Sequence, residues 1–96
     1  MIVRPEAERD LFEAIQWYED QRVGLGIRFL HAVETVFAVI ESAPELFGRV
    51  RRNIRRAGTK QFPFAVYYRI ENSVIVVLAI IHTRRDPRYW RSRIRE

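Results

Sequence analysis

The feature that most constrains the fold is a pair of apolar, β-prone runs in the last third of the chain. The first run covers residues 62–70 and the second covers residues 74–81, and the polar turn Glu71-Asn72-Ser73 lies between them. β-Branched and aromatic residues around a short polar turn are typical of a β-hairpin. The second run is almost continuously apolar, as expected for a strand that is covered on both faces. The hairpin therefore requires cover on two sides.

Alternation along these runs predicts which residues share a face. In the first strand, one face carries Phe62, Phe64, Val66, Tyr68 and Ile70. In the second strand, strict alternation separates Val74, Val76, Leu78 and Ile80 from Ile75, Val77, Ala79 and Ile81. Residues 50–57 are predicted to form a further strand, and Gly58-Thr59 a turn.

Two amphipathic helices are predicted before these strands. Pro5 suits the first turn of a helix, which should end near Arg22 because Gly24-Leu25-Gly26 is a natural break. The second helix is predicted from about Gly26 to Ser42. The helical stripe of the first consists of Ala7, Leu11, Ala14, Ile15 and Tyr18, and that of the second of Phe29, Val33, Val36, Phe37 and Ile40.

The element order predicts one small α+β domain over residues 1–96, in the order β-α-α-β-β-β. A short N-terminal strand precedes the two helices, which form a hairpin on one face of a mainly antiparallel sheet. The opposite face is predicted to be covered either by the segment that starts at Asp86 or by another chain.

Charge is distributed very unevenly along the chain. Residues 1–48 contain four arginines and nine acids, a net charge of −5, whereas residues 49–96 contain thirteen basic residues and three acids, a net charge of +10. This asymmetry indicates an anionic partner, either nucleic acid or an acidic protein, with a membrane surface less favoured. The alternative is solubility combined with a GC-rich codon bias, since sixteen of the seventeen basic residues are arginines.

Composition excludes several classes. There is no cysteine, and no apolar run approaches the roughly 20 residues of a membrane span. The N-terminus has no export pattern, so we expect a cytoplasmic protein. His31 lies on the polar face of the second helix without a cluster of further ligands, so no metal site and no cofactor are predicted.

The end of the long strand carries the residues that could perform chemistry. Metal-independent RNA cleavage needs a base for the 2′-hydroxyl, a cation for the phosphorane and a proton donor for the leaving oxygen. His82 or Tyr89 can supply proton transfer, and Arg84, Arg85 and Lys60 can supply positive charge. The alternative is a histidine that caps the strand by bonding a neighbour, with arginines that solvate the sheet end.

The remaining aromatic and arginine clusters each have two interpretations. Tyr89 and Trp90 either stack on unpaired bases or fold back onto the core. Asp86 is expected to pair with a neighbouring arginine. The strand at 50–57 shows no apolar face, which favours an edge strand whose charge either discourages association or contacts phosphates or an acidic peptide.

Several short motifs occur in this chain in a characteristic order and at characteristic spacing. They are Arg4-Pro5-Glu6-Ala7-Glu8, Asp10-Leu11, Trp17-Tyr18, Gly26, Arg28-Phe29, Pro44, Phe62-Pro63-Phe64, Val66, Tyr68, Val77-Leu78-Ala79-Ile80, His82-Thr83-Arg84-Arg85-Asp86-Pro87 and Trp90. By these motifs the chain resembles, over essentially its whole length, the RelE/ParE family of bacterial toxins, and most of all its ParE-like, plasmid-stabilisation branch.

The resemblance implies the toxin of a type II toxin–antitoxin pair. Its partner would be a small antitoxin, encoded adjacently, whose acidic tail wraps the toxin and folds on binding. We expect antitoxin contacts from Arg51, Arg55, Phe64, Tyr67 and Arg69. The antitoxin would then supply cover for exposed apolar surface and a partner for the basic half.

The resemblance leaves the target open between two classes. ParE-type members poison DNA gyrase without being nucleases, and this is the favoured interpretation, with Arg84, Arg85, Arg88 and Trp90 as the target-binding surface. RelE-type members cleave mRNA on the ribosome, so the alternative is a metal-independent endoribonuclease. The catalytic residues in that case would be His82, Arg84, Arg85, Tyr89 and Lys60. A third alternative is an inactive member that only binds its antitoxin.

Overall fold

A five-stranded sheet with helices on both faces is present in the computed structural model, which describes residues 1–93. The elements are β1 (Ile2–Val3), α1 (Pro5–Gln21), α2 (Leu25–Ser42), β2 (Arg49–Arg51), β3 (Ile54–Gly58), β4 (Phe64–Glu71), β5 (Val74–His82) and α3 (Pro87–Arg93). The strand order is β1-β5-β4-β3-β2. β1 is parallel to β5 and the other neighbours are antiparallel. The predicted α+β fold is confirmed.

The helical hairpin α1–α2 covers one face of this sheet. The stripes predicted for the two helices are the residues that pack on the sheet, and the polar face predicted for α2 is exposed. Four aromatic rings meet beneath the hairpin, with Tyr18 4.9 Å from Phe62 and Phe29 4.9 Å from Phe64 between ring centroids. The hydroxyl of buried Tyr68 donates to the Pro44 carbonyl at 2.6 Å, which fixes the chain where it leaves α2.

The junction between α1 and α2 depends on one carboxylate and one glycine. Glu19 accepts hydrogen bonds from the backbone N–H groups of Gly24 and Gly26 at 3.0–3.1 Å. These donors lie at the start of α2, where helical N–H groups have no partner within the helix. A negative charge here also interacts favourably with the helix dipole. Gly24 has φ of +91°, which allows the tight connection.

Replacing Glu19 with alanine is therefore expected to lower the free energy of unfolding by about 1–2 kcal/mol, the usual effect of losing an N-terminal cap. Urea denaturation measures this change. The matched control is Asp20→Ala, because Asp20 is exposed and its carboxylate, among residues 1–93, bonds only the Gln16 side chain. An equal loss in both variants would contradict the role of Glu19.

The hairpin predicted from residues 62–81 is formed by β4 and β5. Asn72 and Ser73 make its two-residue turn, with φ of +50° and +65°, as in the type I′ turns that match strand twist. The predicted start at Phe62 is wrong by two residues, because β4 begins at Phe64. Phe62 and Pro63 belong to the preceding loop, where the Thr59 hydroxyl donates to the Phe62 carbonyl at 2.7 Å.

The strict alternation predicted for β5 is wrong beyond Leu78. Tyr67 is paired with Ala79 and Tyr68 with Val77, so Leu78 has no partner in β4 and forms a β-bulge. An extra residue in a strand moves the side chain of each following residue to the opposite face of the sheet. The face under the helices carries Ile75, Val77 and Ile80, and the opposite face carries Val76, Leu78, Ala79 and Ile81.

The single strand predicted at 50–57 is also wrong. The chain turns at Arg52-Asn53, where Arg52 has φ of +48°, and β2 pairs back on β3. β2 is one of the two edge strands and its three residues are exposed, whereas β3 lies inside the sheet and buries Ile54 and Ala57 on opposite faces. The prediction of an arginine-rich edge strand thus holds only for β2.

The second face of the sheet is covered by α3. The Trp90 ring stacks on Tyr67 with 5.3 Å between centroids and an interplanar angle of 24°, and Tyr89 packs on the same cluster. Of the two covers predicted for this face, the described residues form the first, the segment that starts at Asp86.

A carboxylate on α1 anchors α3. The Arg93 guanidinium donates to both oxygens of Asp10 at 2.9 Å, and Asp10 also accepts from the Ile80 backbone N–H at 3.0 Å. Beyond the end of β1, this carboxylate thus accepts the β5 backbone hydrogen bond that a neighbouring strand would otherwise accept. The hydrogen bond with Asp10 is the main cause that raises the pKa of Arg93.

None of the three helices, as far as residue 93, combines the length and hydropathy that a membrane span requires.

Candidate functional site

A cleft lies where α1 crosses the end of β5. It consists of two adjoining cavities of ≈ 260 Å³ and ≈ 560 Å³. Both cavities are lined by Ala14, Trp17, Phe64, His82 and Arg85. The smaller cavity is also lined by Asp10, Glu13 and Tyr89, and the larger is also lined by Pro63 and Arg84. The cleft therefore joins aromatic rings from α1 and β4 with the basic turn after β5.

His82 is held in a defined orientation at the end of β5. Its Nδ1 accepts a hydrogen bond from the Arg84 backbone N–H at 3.0 Å, and its ring packs against Phe64 with 5.3 Å between centroids. Since Nδ1 is an acceptor, the neutral ring carries its proton on Nε2. This bond is the one that the capping alternative predicts, and it leaves an N–H donor rather than a base.

Two arginines in the turn after β5 are exposed. Arg85 lies over the Tyr89 ring, with Cζ 3.9 Å from the centroid, a cation–π contact that orders the guanidinium. Arg84 is positioned through its backbone by the bond to His82. Neither arginine forms a salt bridge within residues 1–93. Their positive charge is therefore available to a ligand.

The start of α3 explains the Asp86-Pro87 pair. The Asp86 carboxylate accepts from the Arg88 backbone N–H at 2.9 Å, and Pro87 occupies the first helical position, where no N–H is needed. The Arg88 guanidinium also donates to this carboxylate, at 2.8 Å. The side-chain and backbone hydrogen bonds from Arg88 lower the pKa of Asp86. The predicted local pairing of Asp86 with an arginine is confirmed.

The five residues that an endoribonuclease would use do not form one constellation. Tyr89 lines the cleft with His82, but its hydroxyl accepts from Arg93 at 3.0 Å. Lys60 lines a separate cavity of ≈ 640 Å³ between α2 and β3, which it shares with His31 and Arg28. The structure thus groups His82, Arg84, Arg85 and Tyr89, and separates them from Lys60.

The four residues predicted to bind a target have different surroundings. Arg84 and Arg85 are exposed at the cleft, whereas Arg88 is exposed but ion-paired with Asp86. Trp90 is half-buried against Tyr67. Of the interpretations of Tyr89 and Trp90, packing against the core is the arrangement seen.

The five residues predicted to contact an antitoxin lie on two faces. Phe64 and Arg55 are on the side of the helices, where Arg55 donates to the Phe47 carbonyl at 2.7 Å. Arg51 is exposed on β2, and half-buried Arg69 lies 3.3 Å from Glu71. Tyr67 is only 2% exposed, and burial raises its pKa. These residues do not form one continuous surface.

Two site residues were missed by the sequence-based prediction. Asp10 lies three residues after Ala7 and four before Ala14, so it is a carboxylate on the buried stripe of α1, and this position signals a buried partner. Trp17 appeared only as part of a motif. It lies three residues after Ala14 at the margin of the same stripe, where it remains 58% exposed.

Comparison with known proteins identifies this architecture as that of a small toxin. The family model for the ParE toxin of the type II toxin–antitoxin system, parDE, matches residues 1–87. A chain from the chromosomal ParDE toxin–antitoxin system of P. aeruginosa has a similar fold, with a TM-score of 0.67 and 22% identity. That match covers 85% of this chain and 95% of the other. No curated protein matches the chain significantly.

The family match spans most of the chain, so the protein belongs to the ParE toxin family of type II toxin–antitoxin systems. The predicted family is confirmed. An antitoxin partner follows from this toxin–antitoxin context.

Proposed function

We propose that this protein arrests bacterial growth in the cytoplasm by binding DNA gyrase, and that an adjacently encoded antitoxin neutralises it. In this proposal residues 1–96 act as one domain, and plasmid stabilisation is the physiological outcome. The surface that contacts the target is the turn after β5, with Arg84 and Arg85 as its principal cations and Arg88 and Trp90 beside them. No cofactor takes part.

The observation that carries the proposal is the state of His82. Its Nδ1 accepts the Arg84 N–H, so in the neutral ring only the Nε2–H faces a ligand, and a donor of this kind is not a general base. Protonation of Nδ1 would break the same hydrogen bond. The Tyr89 hydroxyl is bonded by Arg93, and Lys60 lies in another cavity. A basic contact surface without an acid–base pair favours a binding poison over a ribonuclease.

The antitoxin is proposed to contact the arginine-rich side of the sheet. The exposed Arg51 and the neighbouring Arg56 belong to this side, which faces away from the helical hairpin, whereas Arg69 on the same side lies beside Glu71. An acidic tail would pair with these guanidinium groups, and charge-assisted hydrogen bonds of this kind are stronger than neutral ones. Tyr67 would contribute only as the surface beneath Trp90.

The proposal is tested by inducing variants alone in a bacterial host. His82→Ala and Tyr89→Phe are expected to arrest growth as the unmodified protein does. The double variant Arg84→Gln/Arg85→Gln is expected to need at least about tenfold more protein for the same arrest, because it loses two charged contacts. Incorporation of labelled amino acids is expected to continue in the first minutes of arrest.

The matched control is Arg49→Gln/Arg52→Gln, which removes the same charge from the exposed β2 edge and its turn. An immediate collapse of amino-acid incorporation, together with loss of toxicity in His82→Ala or Tyr89→Phe, would instead support the ribosome-dependent endoribonuclease. Unhindered growth with full-length, folded protein would support the inactive member that only binds its antitoxin.

A further inference from the structure

Trp17 presents a large aromatic surface to solvent beside a concentration of positive charge. Trp17 is 58% exposed, and its indole makes a T-shaped contact with the Tyr18 ring, with 5.1 Å between centroids. This contact orders the indole, and the exposed fraction shows that much of the residue is uncovered. Single exposed apolar residues are common. Trp17 differs from such residues because it lines both cavities of the cleft at the end of β5.

The larger cavity of the cleft combines aromatic walls with basic groups. Its apolar and aromatic lining consists of Ala14, Trp17, Tyr18, Pro63 and Phe64, and its basic lining of His82, Arg84 and Arg85. No acidic residue of the described chain lines this cavity. Arg84 and Arg85 have no carboxylate partner within residues 1–93. Its chemistry is therefore complementary to a ligand that is both aromatic and anionic.

Two donor groups of the cavity, those of His82 and Arg85, are also held in place. His82 offers an Nε2–H because its Nδ1 is occupied by the Arg84 N–H. The Arg85 guanidinium is held against the Tyr89 ring. Planar guanidinium groups bind phosphate oxygens with two parallel hydrogen bonds. A phosphate at this point would meet the Nε2–H of His82 and the two parallel N–H groups of the Arg85 guanidinium.

We propose that this cleft binds one nucleotide of a single-stranded nucleic acid. The base stacks on the Trp17 indole, and its phosphate is bound by Arg84 and Arg85 with a hydrogen bond from His82 Nε2–H. Stacking requires a base that is free on one face, which a strand offers and a duplex does not. The adjoining smaller cavity is lined by Asp10 and by the exposed carboxylate of Glu13, which would repel a phosphate, so the nucleotide is placed in the larger cavity.

Nucleic acid fits better here than an acidic peptide. A peptide would need an acidic and an aromatic side chain at one fixed separation to engage both the arginines and the indole, whereas every nucleotide carries a phosphate and a base. A nucleotide uses both halves of the cavity at once. The net charge of +10 on residues 49–96 would further attract a polyanion. This inference is independent of the gyrase proposal, since it concerns the isolated protein.

The two tryptophans of the chain allow a direct test. Trp90→Phe leaves Trp17 as the only indole, and Trp17→Phe leaves Trp90, which is stacked on Tyr67. Each purified variant is titrated with an oligothymidylate of about eight nucleotides and with the matching oligouridylate, lengths within the range of single-strand sites. We expect saturable quenching of Trp17 fluorescence by at least one oligonucleotide, and little change at Trp90. Tighter binding of the oligothymidylate would indicate DNA as the ligand, and tighter binding of the oligouridylate would indicate RNA.

Affinity and salt dependence test the assigned contacts. In the Trp90→Phe background, Arg84→Gln/Arg85→Gln is expected to weaken binding at least about tenfold and to lower the slope of log K against log salt by about 0.7, for one phosphate contact on a single strand. Trp17→Ala, followed by competition with labelled oligonucleotide, is expected to weaken binding roughly tenfold. Arg49→Gln/Arg52→Gln is the charge-matched control.

Three outcomes would overturn the proposal. The first is the absence of saturable quenching of Trp17 by either oligonucleotide at low salt. The second is equal quenching of Trp17 by polyglutamate or heparin, which have charge but no bases. The third is an equal loss of affinity in both arginine pairs, which would indicate diffuse attraction. Because gyrase and antitoxin are absent from the assay, none of these outcomes bears on the proposed toxin function.

Discussion

Replacing Asp10 with alanine is expected to lower the free energy of unfolding by about 3 kcal/mol. Asp10 and Arg93 are 11% and 20% exposed in their side chains and bond through two oxygens. Removing one partner leaves the guanidinium unpaired in a half-buried place. It also leaves the Ile80 N–H of the central sheet without its acceptor. Because the Arg93 side chain is partly exposed, the expected loss of unfolding free energy is at the lower end of the range for breaking a buried ion pair.

Urea denaturation of Asp10→Ala measures this loss, and the fluorescence of Trp90 in the Trp17→Phe background reports whether α3 leaves the sheet. Asp10→Asn separates the two contributions, because an amide oxygen still accepts from Ile80 but carries no charge. It is expected to lose roughly half as much. The control is Glu13→Gln, an exposed carboxylate on the same helix. A loss below about 0.5 kcal/mol in Asp10→Ala would contradict its role as the anchor of α3.

Replacing Gly26 with alanine is expected to lower the free energy of unfolding by about 2 kcal/mol. A Cβ at this position would lie 2.8 Å from the Ile15 carbonyl oxygen and 3.0 Å from Glu19 Oε1. The first atom belongs to the backbone of α1 and cannot move without shifting the helix. The second is the carboxylate that bonds the start of α2. Alanine's better helix propensity offsets roughly 1 kcal/mol of a cost that would otherwise approach 3.

Thermal and urea unfolding of Gly26→Ala measure this effect, and Gly48→Ala is the matched control because a Cβ there meets no atom within 4 Å. The control is expected to change the free energy of unfolding by no more than about 0.5 kcal/mol. Equal stability of the two variants would mean that α1 and α2 separate easily, contrary to the close approach seen at Ile15.

Local sequence signals predicted the helices and the central hairpin. Periodic apolar residues place Phe29 and Val33 on the buried face of α2, and Asn72-Ser73 mark a turn, because both signals act within a few residues. The bulge at Leu78 could not be predicted in the same way. Leu78 and Ala79 are apolar and fit either face, so their order reflects pairing with β4 rather than residue type.

The candidate site was predicted only where its residues are adjacent in the sequence. His82, Arg84 and Arg85 follow one another, so their proximity was evident. Trp17 is more than sixty positions earlier, and only the packing of α1 against β5 brings it to the cleft. Lys60 was grouped with His82 by its charge alone, and its position in another cavity depends on the loop between β3 and β4.

The functional consequence lies in what His82 can donate or accept. A histidine at a strand end among arginines has the composition of a catalytic centre. Its bond from the Arg84 backbone turns the ring into a fixed donor beside two exposed cations. This arrangement suits binding to an anionic surface. Because the protein belongs to the ParE toxin family, we propose that this surface is on the target of the toxin.

The most direct test of the gyrase proposal is inhibition of DNA supercoiling by purified gyrase in the presence of this protein. We expect inhibition that saturates with protein concentration, is retained in His82→Ala and is weakened at least about tenfold in Arg84→Gln/Arg85→Gln. Full supercoiling activity at protein concentrations that arrest growth in cells would contradict gyrase as the target.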